Sequence, residues 1–255
     1  MSAENLAILL PAFLTGLLVL ATHVPLGRIV LDRGIVFIDL AIAQVAGLGV
    51  VTADFFGWDA NFWSVQASAV AAALLAAALL MWTEHRFAAL QEAIIGVLFV
   101  LSACVEILLL ASNPHGAEHL KDLLVGQILW VSPRDLIPAT ILYAGVLAIW
   151  WRMDLRARPG LFYAVFAVTI TASVQLVGVF LVFASLIVPA LSARATSARR
   201  PLLHGYAIGL TGYVIGLLAS AALDLPTGAA VVCALVAVTA TAIAIGFSNV
   251  NAKGE

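Results

Sequence analysis

Apolar runs of about twenty residues, divided by short polar breaks, recur along most of this chain. A helix rises 1.5 Å per residue, so a run of roughly 20 crosses the hydrocarbon core of a bilayer. In lipid every backbone N–H and C=O must be satisfied within its own segment, and a series of such runs achieves this only as helices. Composition agrees: 64% of the 255 residues are hydrophobic and 10% are charged, against about 25% charged in an ordinary soluble domain. The chain reads as all-α, a polytopic membrane helical bundle, with 1–255 forming a single transmembrane domain.

The runs predict spans at Leu6–Val24, Ile35–Ala53, Phe62–Trp82, Ala93–Ala111, Pro138–Trp151, Gly160–Ser173, Leu176–Leu191, Leu202–Ala222 and Gly228–Phe247. Gly160–Leu191 is too long for one span and short for two, and Thr171-Ala-Ser-Val-Gln175 is the natural turn. About nine spans result if it splits and about eight if it does not. Positive charge decides. With the N-terminus outside and the run split, ten of the 12 Lys and Arg fall on the inner side, leaving Lys121 and Arg134 outside. An unsplit run would place one of the basic clusters outside, against the positive-inside bias. The split arrangement puts the C-terminus in the cytoplasm.

Trp58, Trp63, Trp82, Trp130, Trp150 and Trp151 fall at or near predicted span ends, where an amphipathic ring sits at headgroup level. The opening residues lack the basic region of a signal peptide and read as the first span. Cys104 and Cys233 lie in apolar runs and read as buried structural thiols. The break Ser112–Ile137 is outward, with a short interfacial helix expected over Glu118–Val131. The inward break Ser192–Pro201 is basic and suits a short cytoplasmic helix.

Against this background a few polar residues stand out. Asp39 and Gln44 lie in the second run, and a carboxylate inside a bilayer costs about 2.5–3.5 kcal/mol on insertion scales, so it needs a partner or a cation path. The bland alternative is an acid near a helix end that snorkels or pairs with Arg33. Five residues separate Asp39 from Gln44, about 140° around a helix, so the two cannot point squarely into one narrow pore. Glu106 is a second intramembrane acid, either on a path or bonded to a neighbouring Ser or Thr for packing. His115, Glu118 and His119 combine imidazole with carboxylate, as a divalent ion prefers, although Pro114 and Gly116 favour a turn there. His23, His85 and His204 read as interfacial residues, and Gln175 as a group that satisfies backbone freed at a turn or, alternatively, lines the path. No phosphate-binding loop, nucleophile elbow or zinc-protease motif appears, so any ATP must be hydrolysed by another chain.

Four stretches occur in an order that is more telling than any one alone: Pro25-Leu-Gly-Arg-Ile-Val30 leading to Phe37-Ile-Asp39; Leu124-Val-Gly-Gln-Ile-Leu-Trp-Val-Ser132; Val177-Gly-Val-Phe-Leu-Val-Phe-Ala-Ser-Leu-Ile-Val-Pro189 with Ala190-Leu-Ser-Ala-Arg194; and Asp224-Leu-Pro-Thr-Gly228. Over about Leu10 to Phe247 the chain resembles the membrane-spanning permease of ABC-type zinc and manganese uptake systems. That resemblance implies a homodimeric permease in a prokaryotic plasma membrane, with a cytoplasmic ABC ATPase subunit below and a periplasmic or extracellular metal-binding protein above. It implies no tightly bound cofactor, a divalent metal ion (Zn or Mn) as cargo, and no catalytic role. It casts Ser192–Pro201, with Arg194, Arg199 and Arg200, as the segment that couples to the ATPase. It also makes Asp39 the intramembrane acid that holds the ion in transit.

One departure is plain. The family usually carries G-D-x-L-[AS]-H, with a histidine one turn after the acid, whereas this chain has Ile38 before Asp39 and Ala43 at the histidine position. Gln44 falls where the histidine would be if counted back from Gly49. Glu106 or the His115/Glu118/His119 group can compensate, or the cargo can differ. A siderophore or corrinoid chelate is one alternative cargo. A proton-coupled secondary transporter relaying protons through Asp39 and Glu106 is another reading.

Overall fold

The computed structural model describes residues 3–57, 62–110, 126, 128–196 and 198–251. Among these it has nine helices: α1 Ala3–Arg33, α2 Ile38–Phe55, α3 Phe62–Arg86, α4 Gln91–Leu110, α5 Pro133–Arg152, α6 Pro159–Val177, α7 Val179–Ala195, α8 Pro201–Leu223 and α9 Thr227–Asn251. Three-residue 3-10 turns occupy Ala88–Leu90 and Ile128–Trp130. Seven helices are long and apolar enough to cross a membrane, while α5 and α7 contribute shorter apolar stretches, Leu136–Arg152 and Val179–Ala195.

The first span was expected to end at Val24, but α1 runs on through Pro25 to Arg33. Proline lacks an N–H, so the carbonyl four residues back loses its helical donor, a serious deficit away from water. Here the carbonyl of Ala21 accepts the Tyr206 hydroxyl at 3.0 Å instead. A side chain from α8 thus replaces the missing bond and lets α1 continue. Tyr206→Phe should therefore lower stability by about 1–3 kcal/mol, the cost of an unmet buried acceptor. Thermal unfolding in detergent checks this, and an unchanged midpoint would show that the bond has no stabilising role.

Gly160–Leu191 does split, but not at Thr171–Gln175. The Thr171 and Ser173 hydroxyls bond the carbonyls of Ala167 and Thr169 at 2.8 and 2.7 Å within α6, which stays helical there. The break is at Gly178, with φ 79 and ψ 163, a backbone state essentially confined to glycine. Its N–H closes α6 on the Val174 carbonyl at 2.8 Å, and its carbonyl accepts from Val182 N at 3.1 Å to open α7. Gly126, at φ 70, presses its backbone onto this break: a Cβ there would lie 2.2 Å from the Val177 carbonyl. Gln175 serves another purpose than the one expected. It accepts from Gln66 of α3 at 2.7 Å.

Helix α8 packs by small residues on two sides. Gly205 and Gly209 receive Val24 and Leu20 of α1, and Gly212 and Gly216 receive Leu235 and Val231 of α9. Such spacing lets helix axes approach closely where lipid supplies no hydrophobic drive.

Charged residues collect at one end of the bundle. Arg33 reaches Glu84 at 3.1 Å and the Arg156 carbonyl at 3.1 Å, and stacks over Phe162. Arg156 pairs with Asp32 at 2.7 Å, and Arg194 donates to the Leu31 carbonyl at 3.0 Å. The short helix expected over Ser192–Pro201 does not form as a separate element. Helix α7 continues to Ala195, and Thr196, Ala198, Arg199 and Arg200 are non-helical. Pro201 opens α8 and holds Arg200 out of the helical region, at φ −124 and ψ 77.

The thiols also differ from expectation. Cys104 and Cys233 are free and exposed, because each occupies the outer face of an apolar helix, where neighbouring apolar residues gave no sign of orientation. Trp63, Trp82, Trp130 and Trp151 are exposed near element ends, as the sequence suggested. Trp58, and the outer break over 111–125, lie outside the described residues; the described end of the helix expected over Glu118–Val131 is not α-helical, since Gly126 has φ 70 and Ile128–Trp130 is a 3-10 turn.

Candidate functional site

Position 39 falls in the first turn of α2, two residues after Phe37, which has no side-chain cap. At 3.6 residues per turn, Asp39, Ala43 and Ala46 share one face of that helix, and all three are buried. The carboxylate is 1% exposed and neither oxygen has a hydrogen-bond partner. The amides of Asp39 and Leu40 lie beside it but outside hydrogen-bond geometry. Pairing with Arg33 is ruled out, since that guanidinium is spent on Glu84 and the Arg156 carbonyl. What remains is a carboxyl group, enclosed in protein with neither oxygen hydrogen-bonded. Burying such a group is costly, and in native structures each one calls for an explanation.

Gln44 points elsewhere, as the angular offset required. Its amide donates to Oε2 of Glu106 on α4, and both side chains are buried. The other Glu106 oxygen, Oε1, has no partner. So Glu106 is held by an amide from α2 rather than by the Ser or Thr that packing alone suggested. Gln44→Leu should leave both Glu106 oxygens bare and cost about 1–3 kcal/mol. Making Glu106→Leu as well should recover most of the loss, since replacing both partners by apolar groups is nearly neutral. A double variant that melts no higher than Gln44→Leu would refute the pairing.

His115, Glu118 and His119 lie outside the described residues. Among the described residues no three His, Cys, Asp or Glu side chains form a ready metal cluster. Gln44 and Glu106 bond each other, while Asp39 has no hydrogen-bond partner. Arg194, Arg199 and Arg200 sit at the charged end, where a cavity of about 410 Å³ opens between α1, α7 and Pro201, lined in part by Arg28, Asp32 and Arg194.

Sequence reading missed one residue. His23, expected at an interface, is 0% exposed, with Nδ1 bonded to the Val19 carbonyl at 2.9 Å and Nε2 without a partner. The sequence held no signal for this: Pro25 reads as a stop, and only because α1 runs on to Arg33 does His23 lie about 15 Å short of the helix end. His85 and His204 do lie near helix ends; His85 bonds the Met81 carbonyl and His204 bonds Ser192.

The model of the ABC 3 transport family matches residues 5–156 and 153–246. The chain belongs to the ABC 3 transport family. It is a multi-pass membrane permease subunit with no catalytic role of its own. Its fold is similar to that of a chain in PsaBC from Streptococcus pneumoniae in complex with Fab, with a TM-score of 0.75, 20% identity and 95% of each chain covered. It is also similar to a transporter assigned to the metal-chelate ABC type in an inward-facing conformation, with a TM-score of 0.64, 18% identity, and 87% of this chain and 81% of that one covered. For an ABC 3 chain, the bare carboxylate on α2 and the paired acid on α4 are then the polar groups to explain.

Proposed function

We propose that this ABC 3 permease is the membrane subunit of an ATP-driven importer for divalent metal ions, zinc first and manganese second, working by alternating access. The observation that carries this reading is the Asp39 carboxylate, fully enclosed and with both oxygens unmatched. A buried carboxyl with no hydrogen-bond partner can give up its proton to a cation and be satisfied by it. Glu106, with one bare oxygen, is a second station, and Gln44 orients it. His115, Glu118 and His119 are the proposed outer ligands.

ATP hydrolysis belongs to a separate cytoplasmic ATPase chain, and delivery to a periplasmic or extracellular metal-binding protein. The segment holding Arg194, Arg199 and Arg200 takes the ATPase's motion, and Arg194 passes it to α1 through the Leu31 carbonyl. Two copies form the pathway, in the plasma membrane of a prokaryote, with the charged end inside. Bare acceptors favour a naked ion over a siderophore or corrinoid, whose own donor atoms already fill the metal's coordination sphere.

Metal accumulation in cells carrying this chain with and without a co-expressed partner ATPase, comparing zinc, manganese, iron and nickel, tests the reading. Uptake that needs the ATPase and survives a protonophore is the expected result. Uptake that ignores the ATPase and collapses with the proton gradient would transfer the chain to the proton-coupled class.

A further inference from the structure

The cavity of about 410 Å³ between α1, α7 and Pro201 has no part in the reading above. Two guanidinium groups from different helices line it, Arg28 of α1 and Arg194 of α7. Arg194 gives one Nη1–H to the Leu31 carbonyl and keeps the rest of its five donors. Arg28 is half-buried, and among the described residues it has no hydrogen-bond or ion-pair partner. Asp32 is the carboxylate in the wall, and Arg156 already pairs with it at 2.7 Å. The charge left facing the cavity is therefore positive. It is carried by two forked donors, an arrangement that suits a phosphate.

Position in the fold adds a second line. Arg28 lies five residues, about 7.5 Å, before the end of the first span at Arg33. From that depth a long cationic side chain reaches the headgroup layer. Apolar side chains border the cavity: Leu191, next to Ala190 of its wall, is exposed, and so is Leu203, two residues after Pro201. A soluble anion gains nothing from exposed leucines. A phospholipid matches both features, with its headgroup in the cavity and its chains along the leucines. The volume agrees, since a water takes about 30 Å³ of liquid and a single phosphate would leave most of the cavity unfilled.

We propose that this cavity binds the headgroup of an anionic phospholipid, its phosphate held between Arg28 and Arg194. Basic pockets between transmembrane helices take such headgroups by charge and hydrogen bonding together. The bound lipid ties α1 to the end of α7 beside the bond from Arg194 to the Leu31 carbonyl. It thereby fastens the segment that carries Arg194, Arg199 and Arg200 to the first helix. The proposal does not depend on which ion the permease carries.

The test follows the thermal midpoint of the full-length chain in detergent as phosphatidylglycerol or phosphatidylcholine is added. Phosphatidylglycerol should raise the midpoint by about 5 °C or more at a hundredfold excess over its dissociation constant, and phosphatidylcholine much less. Arg28→Gln should raise the half-saturating concentration about tenfold or more, as expected for losing a charge-assisted partner. Arg152→Gln, which alters an exposed arginine outside the cavity, should leave it unchanged. An unaltered response in Arg28→Gln, or equal responses to the two lipids, overturns the proposal. So does glycerol phosphate acting at the same concentration as the lipid, since the cavity then takes a free phosphate. If Arg28→Gln fails to accumulate, photoreactive phosphatidylglycerol on the wild type in complex with a partner ATPase decides. Adducts within residues 28–32 and 190–194 are expected. Adducts confined elsewhere overturn the assignment, as do adducts lost when the ATPase binds, which would give the cavity to an acidic stretch of that chain.

Discussion

Asp39→Asn should cut metal uptake by about a hundredfold, the upper end of what losing even an outer-shell partner costs a metal site. It should at the same time raise stability. The wild-type carboxylate is enclosed with no donor on either oxygen, and a buried uncompensated charge is a burden that its isosteric amide removes. Opposed effects of this kind mark a group kept for work rather than for folding. Two measurements check it: accumulation of zinc and manganese in cells, and the thermal midpoint of the solubilised protein. Normal uptake by Asp39→Asn removes the carboxylate from the pathway. Loss of uptake with a lowered midpoint makes it a structural acid instead.

Gly126→Ala should be the most damaging small substitution. Position 126 has φ 70, and an added Cβ would stand 2.2 Å from backbone atoms of Val177 and 2.4 Å from Gly178 N. No side chain can rotate aside to relieve this. Left-handed strain and overpacking together should cost about 3 kcal/mol or more, seen as a large fall in the melting midpoint or in the amount of protein in the membrane. Gly145→Ala is the control. It lies inside α5 with nothing within 4 Å of the new carbon, so helix propensity alone should stabilise it slightly. Equal behaviour of the two variants would mean that the contact between Gly126 and the α6–α7 break is unimportant.

Helices were legible because lipid leaves the backbone few options, and each long apolar run became one. Their ends were less so, for physical reasons specific to each. Pro25 looks like a stop until the Tyr206 hydroxyl, 181 residues later in the sequence, supplies the missing bond. The polar cluster Thr171–Gln175 looks like a turn, yet its hydroxyls fold back on their own helix. Gly178, embedded among valines, carries the real break. In the site, Asp39 could be found by its cost alone, and its angle to Gln44 foretold that they would part. Neither the Gln44–Glu106 bond nor the burial of His23 could be read, because both depend on which helices become neighbours.

Among the described residues the two ends of α3 are fastened differently, and this bears on how the bundle responds to ionic strength. At one end the ties are ionic: Arg33 to Glu84, and Arg156 to an Asp32 whose side chain is 48% exposed. At the far end of α3 the tie to α6 is a neutral amide pair, Gln66 to Gln175. Dissolved salt weakens exposed charge pairs and leaves amides largely alone. Raising it should loosen the Asp32–Arg156 tie well before the Gln66–Gln175 one.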